Sequence, residues 1–307
     1  MSDSEAQYSE FCRNGYVPLH FQPWWLDAVC GAGRWGAALA LGENGRVIGA
    51  LPYYLTRRYG LKVIQLPPLT TYAGPWLRYP QDADFKDVSR FAFEKKVMGE
   101  MIAHLPRTVL FKQNFRPEIT NWLPFYWKNF QQTTRYTYLF DKTNELGKIT
   151  AGFKKSLRNG LKKAALWTNT QRDDDAWEIV FSLNKRSLQR RNRVQPYSFE
   201  VFKNLHTALH QRNQMACFVA YDKASGKPSA GLYLIFDDRQ AGVLITGTEP
   251  ELKGQCAVYN LFLEAIRFCA TQTISLDFEG SMDEQLEHAL RAFGAQLVPY
   301  HQVWKWG

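Results

Sequence analysis

The stretch Ser275-Leu276-Asp277-Phe278-Glu279-Gly280-Ser281-Met282 decides how this chain folds. From Thr273 to Phe278 the residues alternate, with Ile274, Leu276 and Phe278 on one face, which is the pattern of a buried strand. Gly280 breaks the strand. Ser281 or Asp283 is then placed to cap a helix whose apolar positions are Leu286, Ala289, Leu290 and Phe293. Gly294 is a natural helix stop, and Leu297–Trp304 reads as one more strand. Two carboxylates, Asp277 and Glu279, therefore stand where a strand ends and a helix begins, pointing away from the apolar face. Open α/β sheets bind substrates at such strand ends. Solvated turn acids would leave the same pattern, so spacing alone leaves both readings open.

Upstream of this stretch, helices are predicted at Ala176–Arg191 and Phe199–Arg212. Strands follow at Met215–Tyr221, Ser229–Phe236 and Gly242–Thr246, then a helix at Cys256–Ala270. The first half shows the same order. After a loose lead-in over residues 1–15, a helix opens at Pro23 and stops at Gly31. Strands Trp35–Leu41, Val47–Tyr54 and Leu61–Leu66 follow, with a hairpin turn at Glu43-Asn44-Gly45. Pro67–Trp76, with three prolines and a glycine, reads as a rigid aromatic loop. A helix at Phe85–Leu105, strand Thr108–Lys112, short helix Glu118–Asn129 and strand Thr133–Phe140 complete the half. Each half reads helix, three antiparallel strands, helix, strand, helix, strand, which predicts an internal duplication. The fold class is α/β (α+β), with domains at 1–145 and 146–307, each a mixed, mostly antiparallel sheet flanked by helices. Lys112 and Asn114 stand near the place that Asp277 and Glu279 hold in the second half. One half is thus expected to be a scaffold and the other, with the carboxylates, the working half.

Composition narrows the class. The chain has 307 residues, 45% hydrophobic and 15% aromatic, enough to build substantial cores. Residues 1–14 carry no basic segment leading into an apolar run, and no stretch approaches the roughly 18 apolar residues of a membrane span. Cys12, Cys30, Cys217, Cys256 and Cys269 are odd in number with no Cys-x-x-Cys pair, against a disulfide framework or a structural zinc. These features predict a cytoplasmic protein without stable membrane insertion and without a metal. The net charge is +9. Residues 151–200 hold 11 basic and 5 acidic side chains, and no acid lies between Lys148 and Arg172. Phe153, Leu157, Leu161 and Ala164 or Ala165 would face the protein, while Lys155, Arg158 and Lys162 share another face. With Lys185-Arg186 and Arg190-Arg191-Asn192-Arg193 further on, this is a surface suited to phosphate, Arg by bidentate contacts and Lys as a point charge. A merely solvated charged face is the competing reading.

The strand and helix order resembles the GNAT acyltransferase fold, and the tandem pair resembles the Fem-type (FemAB-like) aminoacyltransferases. Three stretches carry the likeness: Phe153–Ala164, similar to the basic helix opening the second domain of that group; Leu276–Met282 with Phe293-Gly294-Ala295; and Pro67–Trp76. The resemblance implies two tandem GNAT-like domains and an N-acyltransferase. Its substrate would be an amine acceptor, such as a cell-wall (peptidoglycan) precursor or another phosphate-bearing amine, lying between the domains. No cofactor is tightly bound; the donor is an aminoacyl-tRNA or an acyl-CoA. Two departures bear on the donor. No long helical hairpin of the kind often inserted by relatives with transfer-RNA donors is present. The place of the GNAT pyrophosphate loop reads Glu251-Leu252-Lys253-Gly254-Gln255-Cys256. Lys253, Gly254 and Gln255 suit a phosphate there, while Glu251 would repel it.

Within this frame Glu279 or Asp277 is the base and Tyr259 the acid for the leaving group. Backbone N–H groups of Ile245–Thr248 receive the oxyanion. Tyr72, Trp76, Lys155, Arg158, Lys162, Arg186, Ser281 and Lys305 are expected to contact substrate, with plain packing between domains the competing reading for the Tyr72–Trp76 loop. His206 and His210 have a metal-ligand spacing but no third partner, and read as a solvent-exposed helix face. Two alternatives remain: a coenzyme A- or carrier-protein-dependent N-acyltransferase of a small amine, and a catalytically silent phosphate- or RNA-binding protein. The oligomeric state is not legible.

Overall fold

The computed structural model describes residues 3–80, 87–249, 251–252, 256–272, 274–280, 282 and 284–307. The elements of the first half are α1 (Asp3–Arg13), α2 (Pro23–Cys30), β1 (Trp35–Leu41), β2 (Val47–Arg58), β3 (Leu61–Gln65), β4 (Trp76–Leu77), α3 (Asp87–Ala103), β5 (Leu110–Asn114), α4 (Leu123–Tyr126) and β6 (Gln131–Phe140). The second half holds α5 (Leu146–Ala151), α6 (Lys155–Trp167), β7 (Thr168–Arg172), α7 (Trp177–Arg190), α8 (Phe199–His210), β8 (Met215–Asp222), β9 (Pro228–Phe236), β10 (Gln240–Thr248), α9 (Ala257–Gln272), β11 (Ser275–Asp277), α10 (Glu284–Arg291) and β12 (Gln296–Trp306). Helix α1 replaces the expected loose lead-in. Its Tyr8, Phe11 and Cys12 are buried, an i, i+3, i+4 stripe diluted by the polar residues around it. Trp76, expected as the last residue of an irregular loop, pairs with Ala50 of β2, and Leu77 after it pairs with Gly49. Helix α5 and strand β7 had no sequence expectation.

The chain forms two compact units, Met1–Arg135 with Pro299–Gly307, and Tyr136–Val298. The division differs from the expected 145/146 boundary because the two final strands have changed places. In the first unit β12 pairs antiparallel with β5, from Gln302↔Asn114 to Trp306↔Leu110. In the second, the end of β6 pairs antiparallel with β11, Leu276↔Phe140 and Asp277↔Leu139. Alternation marks a strand but not its partner, so this exchange leaves no trace in sequence.

In the first unit β1, β2 and β3 are antiparallel neighbours, and β3 runs parallel to β5 through Val63↔Leu110 and Ile64↔Phe111. Helix α3 buries Val97, Met98 and Met101 against Ala38, Leu51 and Ile64. Its approach is close at Gly49, where a β-carbon would stand 2.3 Å from Val97 Cγ1. In the second unit β7 to β10 are antiparallel in order, and β10 runs parallel to β11. One face of this sheet carries Leu232, Leu234, Ala241, Val243, Leu276 and Phe278, packed with Leu157 of α6 and Leu261, Ala265 and Ile266 of α9. The opposite face meets α7 and α8: Gly231 lies under Val180 and Leu183, and the Tyr233 ring is 5.2 Å from that of Phe202. Fully burying each large apolar side chain is worth about 1.5–3 kcal/mol.

Candidate active site

Strands β10 and β11 are in register only at Gln240↔Ser275, Ala241↔Leu276 and Gly242↔Asp277, while β10 runs on to Thr248. The two strand ends therefore part just where the carboxylates stand. Asp277 is buried, and its Oδ1 accepts both the Thr137 hydroxyl and, at 2.7 Å, the backbone N–H of Glu279. It is not a solvated turn acid. It fastens β6 to β11 and fixes the first residue of the turn. Glu279 adopts a left-handed φ of 52° and is half-buried. Its carboxylate lies over Gly242, where a β-carbon would come within 2.5 Å of Oε1. Gly280 follows at φ +31°, and a β-carbon there would be 2.3 Å from the Tyr136 carbonyl oxygen, so the turn requires glycine. The paired acids thus part company. Asp277 is held by donors, and Glu279 stands at the mouth of the opening on the α7 face of the sheet.

Helix α7 holds the far end of β10. Asn184 Nδ2 donates to Thr246 O (2.7 Å), and the Ser187 hydroxyl donates to Thr248 O (3.1 Å) while accepting the Thr248 N–H (2.8 Å). The Tyr197 hydroxyl donates to Asn184 Oδ1 at 2.7 Å. Such closeness requires Gly247, where a β-carbon would be 2.2 Å from Asn184 N. The Thr248 N–H, one of the donors expected for an oxyanion, is therefore engaged with Ser187. Asn184 and Ser187 were not singled out in the sequence. Their signal is an i, i+3 polar pair on one face of a helix otherwise read for its charges. Arg186, expected to bind substrate, forms a half-exposed ion pair with Glu249 (3.0 Å).

Tyr259 sits in the first turn of α9 with its ring against Gly160 of α6 and 6.3 Å from the Phe293 ring. Burial, then nearby Cys256, raises its phenol pKa, so it keeps its proton at neutral pH. It lies on the α6/α9 face, opposite Glu279. The structure therefore places the expected acid and base on two faces of one sheet. Helix α6 buries Leu157 and Ala164 and half-buries Leu161, while Ala165 is exposed. Lys155, Arg158 and Lys162 are exposed, as the spacing predicts. Arg158 Nη1 donates to Phe153 O (2.7 Å); among the described residues neither Lys155 nor Lys162 forms an ion pair.

Three expected substrate contacts belong to the first unit. Tyr72 is 2% exposed, perpendicular to Tyr300 at 5.2 Å, with the Arg116 guanidinium 5.7 Å from its ring centre. Trp76 is half-buried against Tyr16 and Phe21. Lys305, expected just after the last strand, lies within β12, donates to Lys128 O (2.9 Å) and covers the Phe130 ring. All three side chains are occupied in packing. Buried Arg116, paired with Glu118 at 2.8 and 3.0 Å, went unnoticed in the sequence because one arginine two residues from a glutamate is an ordinary surface pattern. His206 is half-buried rather than solvent-exposed, bonded to the Tyr233 hydroxyl at 3.0 Å and stacked on Trp177. Among the described residues no group of three or more His, Cys, Asp or Glu could hold a metal ion. Lys253, Gly254, Gln255 and Ser281 lie outside the described residues, as does Asp283.

Residues 150–285 match the family of acetyltransferase (GNAT) domains. A search of curated proteins gives no match. Among solved structures the chain is similar to FemX, at 12% identity over 98% of this chain and 96% of that one, with a TM-score of 0.67. It is also similar to L-PGS from Bacillus licheniformis, at 8% identity over 98% and 91%, TM-score 0.53. A third likeness is to a tandem GNAT protein from the clavulanic acid biosynthesis pathway, at 11% identity over 98% and 92%, TM-score 0.51. At such identities the likeness is one of fold. The chain has the FemAB-like GNAT fold that the residue patterns resembled, a mixed and mostly antiparallel sheet flanked by helices. No described helix is long and apolar enough to cross a membrane.

Proposed function

We propose that this chain is an N-acyltransferase that moves an aminoacyl or other acyl group onto an amine at the opening between β10 and β11. The observation that carries the reading is the Glu279 carboxylate seated over Gly242 where the two strands part. A substrate amine reaches that point as an ammonium ion, and Glu279 takes its proton. The amine nitrogen then attacks the acyl carbon, and backbone donors of β10 not engaged by α7 face the developing oxyanion. A C–N bond forms as the bond to the leaving oxygen or sulfur breaks; the leaving atom receives the Tyr259 proton, and the nitrogen sheds its second proton to solvent, from which the Tyr259 phenolate is reprotonated. Asp277 positions Glu279 through its backbone N–H. Lys155, Arg158 and Lys162 of α6 supply a phosphate-binding surface, which fits a phosphate-bearing acceptor such as a cell-wall precursor. An aminoacyl-tRNA ester is the donor we favour.

A thioester donor is the second reading, favoured by the acetyltransferase description of the family that residues 150–285 match and opposed by Glu251 at the loop position. Thermal-shift titration with an acyl-coenzyme A, a charged transfer RNA and a UDP-linked cell-wall peptide precursor separates them, since a ligand that binds the folded state raises Tm by mass action. A rise with transfer RNA or precursor supports the first reading. A rise with the thioester alone selects the second. Binding of RNA without turnover of any acyl donor returns the chain to the silent phosphate-binding class.

A further inference from the structure

The hairpin between β2 and β3 carries a feature that acyl transfer does not use. Its register closes at Arg58↔Leu61, leaving Tyr59 (φ 51°) and Gly60 (φ 80°) as a two-residue turn with both φ values positive. Asn-Gly takes this conformation readily; a tyrosine resists it because its β-carbon crowds the backbone. The aromatic ring gains nothing from packing in return. Tyr59 is 93% exposed, with the Arg58 guanidinium 5.9 Å from its ring centre, and Leu61 beside it is 54% exposed. A strained residue retained with its side chain in solvent points to something outside the fold.

Behind the tip lies an open pocket of about 600 Å³, lined by Gly33, Arg34, Tyr54, Leu55, Thr56, Arg57 and Lys62. Arg57 and Lys62 are direct cross-strand partners, like charges facing each other, which destabilises a hairpin unless an anion intervenes. Arg34 joins them because its carbonyl accepts the Leu55 N–H at 2.8 Å. No carboxylate lines the pocket, and among the described residues none of the three cations forms an ion pair.

We infer that this end of the first unit docks on an anionic lipid surface, with the pocket taking a lipid phosphate headgroup and Tyr59 and Leu61 entering the interface. A free phosphate would account for the cations but not for an apolar tip. A single-stranded nucleic acid would use the tyrosine but not the leucine. Cations flanking an aromatic and an aliphatic side chain fit the headgroup boundary of a bilayer, where each basic residue adds electrostatic attraction and the apolar pair adds burial. The inference concerns the first unit and stands whichever acyl group the second unit transfers.

Co-sedimentation of the full chain with phosphatidylglycerol-containing vesicles and with pure phosphatidylcholine vesicles tests it. Binding is expected to the former, weakening as salt rises. Arg57→Ala with Lys62→Ala should lower the partition coefficient roughly thirty-fold, and Tyr59→Ser with Leu61→Ser roughly tenfold. Lys155→Ala with Lys162→Ala on α6 should do less than either. Tyr59→Asn should raise Tm while weakening vesicle binding, so lost binding in that variant is not lost folding. The inference is overturned if wild-type protein ignores both vesicles or binds them equally. It is also overturned if the α6 substitutions alone remove binding, or if the hairpin cations matter for single-stranded RNA or inorganic phosphate and not for vesicles.

Discussion

Strands β3 and β5 of the first unit and β10 and β11 of the second are the same construction, finished differently. Each is a short parallel pair, ending at Ile64↔Phe111 in the first unit and at Gly242↔Asp277 in the second. In the first unit the strand end is closed by the chain's own proline-rich loop. Ala73 bridges to Phe115 and its N–H donates to Asn114 O (2.7 Å), while Asn114 Nδ2 donates to Thr71 O (3.0 Å) and its Oδ1 accepts Gln302 Nε2 (2.8 Å). Asn114 there is a neutral amide whose donor and acceptor are both matched. In the second unit the corresponding residues are carboxylates, one tied inward to Thr137 and one set over a glycine. A duplicated fold thus sets where a strand end falls. Whether that end is sealed or carries charge depends on two or three side chains.

The largest effect should come from removing the charge that distinguishes the two ends. Glu279→Gln keeps the shape and one acceptor oxygen but cannot accept the ammonium proton, so kcat of acyl transfer should fall about 10²–10³-fold with Tm nearly unchanged. The mirror change, Asn114→Asp, should create no activity. It replaces a donor to Thr71 O with an acceptor facing a carbonyl, costing about 1–3 kcal/mol in urea unfolding. Should Glu279→Gln retain full turnover, the opening between β10 and β11 is not where the proton moves.

Asp277 sharpens the same contrast. Asp277→Ala strands the Glu279 N–H and the Thr137 hydroxyl in a buried place, and should cost about 2–3 kcal/mol of stability. Activity should fall as well, because the turn that presents Glu279 loses its anchor. Thr137→Val should cost about 1 kcal/mol and leave kcat within a few-fold. Equal losses of activity in Asp277→Asn and Glu279→Gln, with no loss of stability in the former, would make Asp277 the base instead.

This pair also marks how far the sequence could be read. Alternation from Ile274 to Phe278, Gly280 and the following amphipathic helix foretold β11, the turn and α10, because each rests on local stereochemistry. The same alternation put both carboxylates on one face, and the structure agrees. It carried no information on which acid would be buried, since that depends on Thr137, some 140 residues earlier and on a strand assigned to the other half. Tyr72 and Trp76 admitted two readings in sequence, an aromatic binding surface or plain packing, because composition alone does not say what covers a proline-rich loop. Their burial depends on Tyr300, Arg116, Tyr16 and Phe21, brought near by the fold. Tyr59 passed unremarked because an arginine-flanked Tyr-Gly turn looks ordinary until its φ and exposure are known.

The effect least tied to catalysis concerns acid. His20, buried beside Tyr72 and Trp25, has its pKa lowered from 6.5 to about 3 by burial and then by the Arg116 charge. It is neutral in the folded chain, whereas the unfolded chain takes up a proton below pH 6.5. Its contribution to stability is therefore complete above pH 6.5 and is lost as pH falls from there towards 3, by about 2 kcal/mol between pH 7 and pH 5. In the second unit His206 is lowered to about 4 by burial and the neighbouring His210 charge, but it is only half-buried, so solvent screens the effect and its share should be smaller. Urea unfolding at pH 7 and pH 5 reads both. His20→Gln should flatten the difference between the two pH values more than His206→Gln, whatever each variant costs at pH 7. If His206→Gln flattens it more, the acid-sensitive interior is that of the charged second unit, and the sealed loop of the first is not what acid opens.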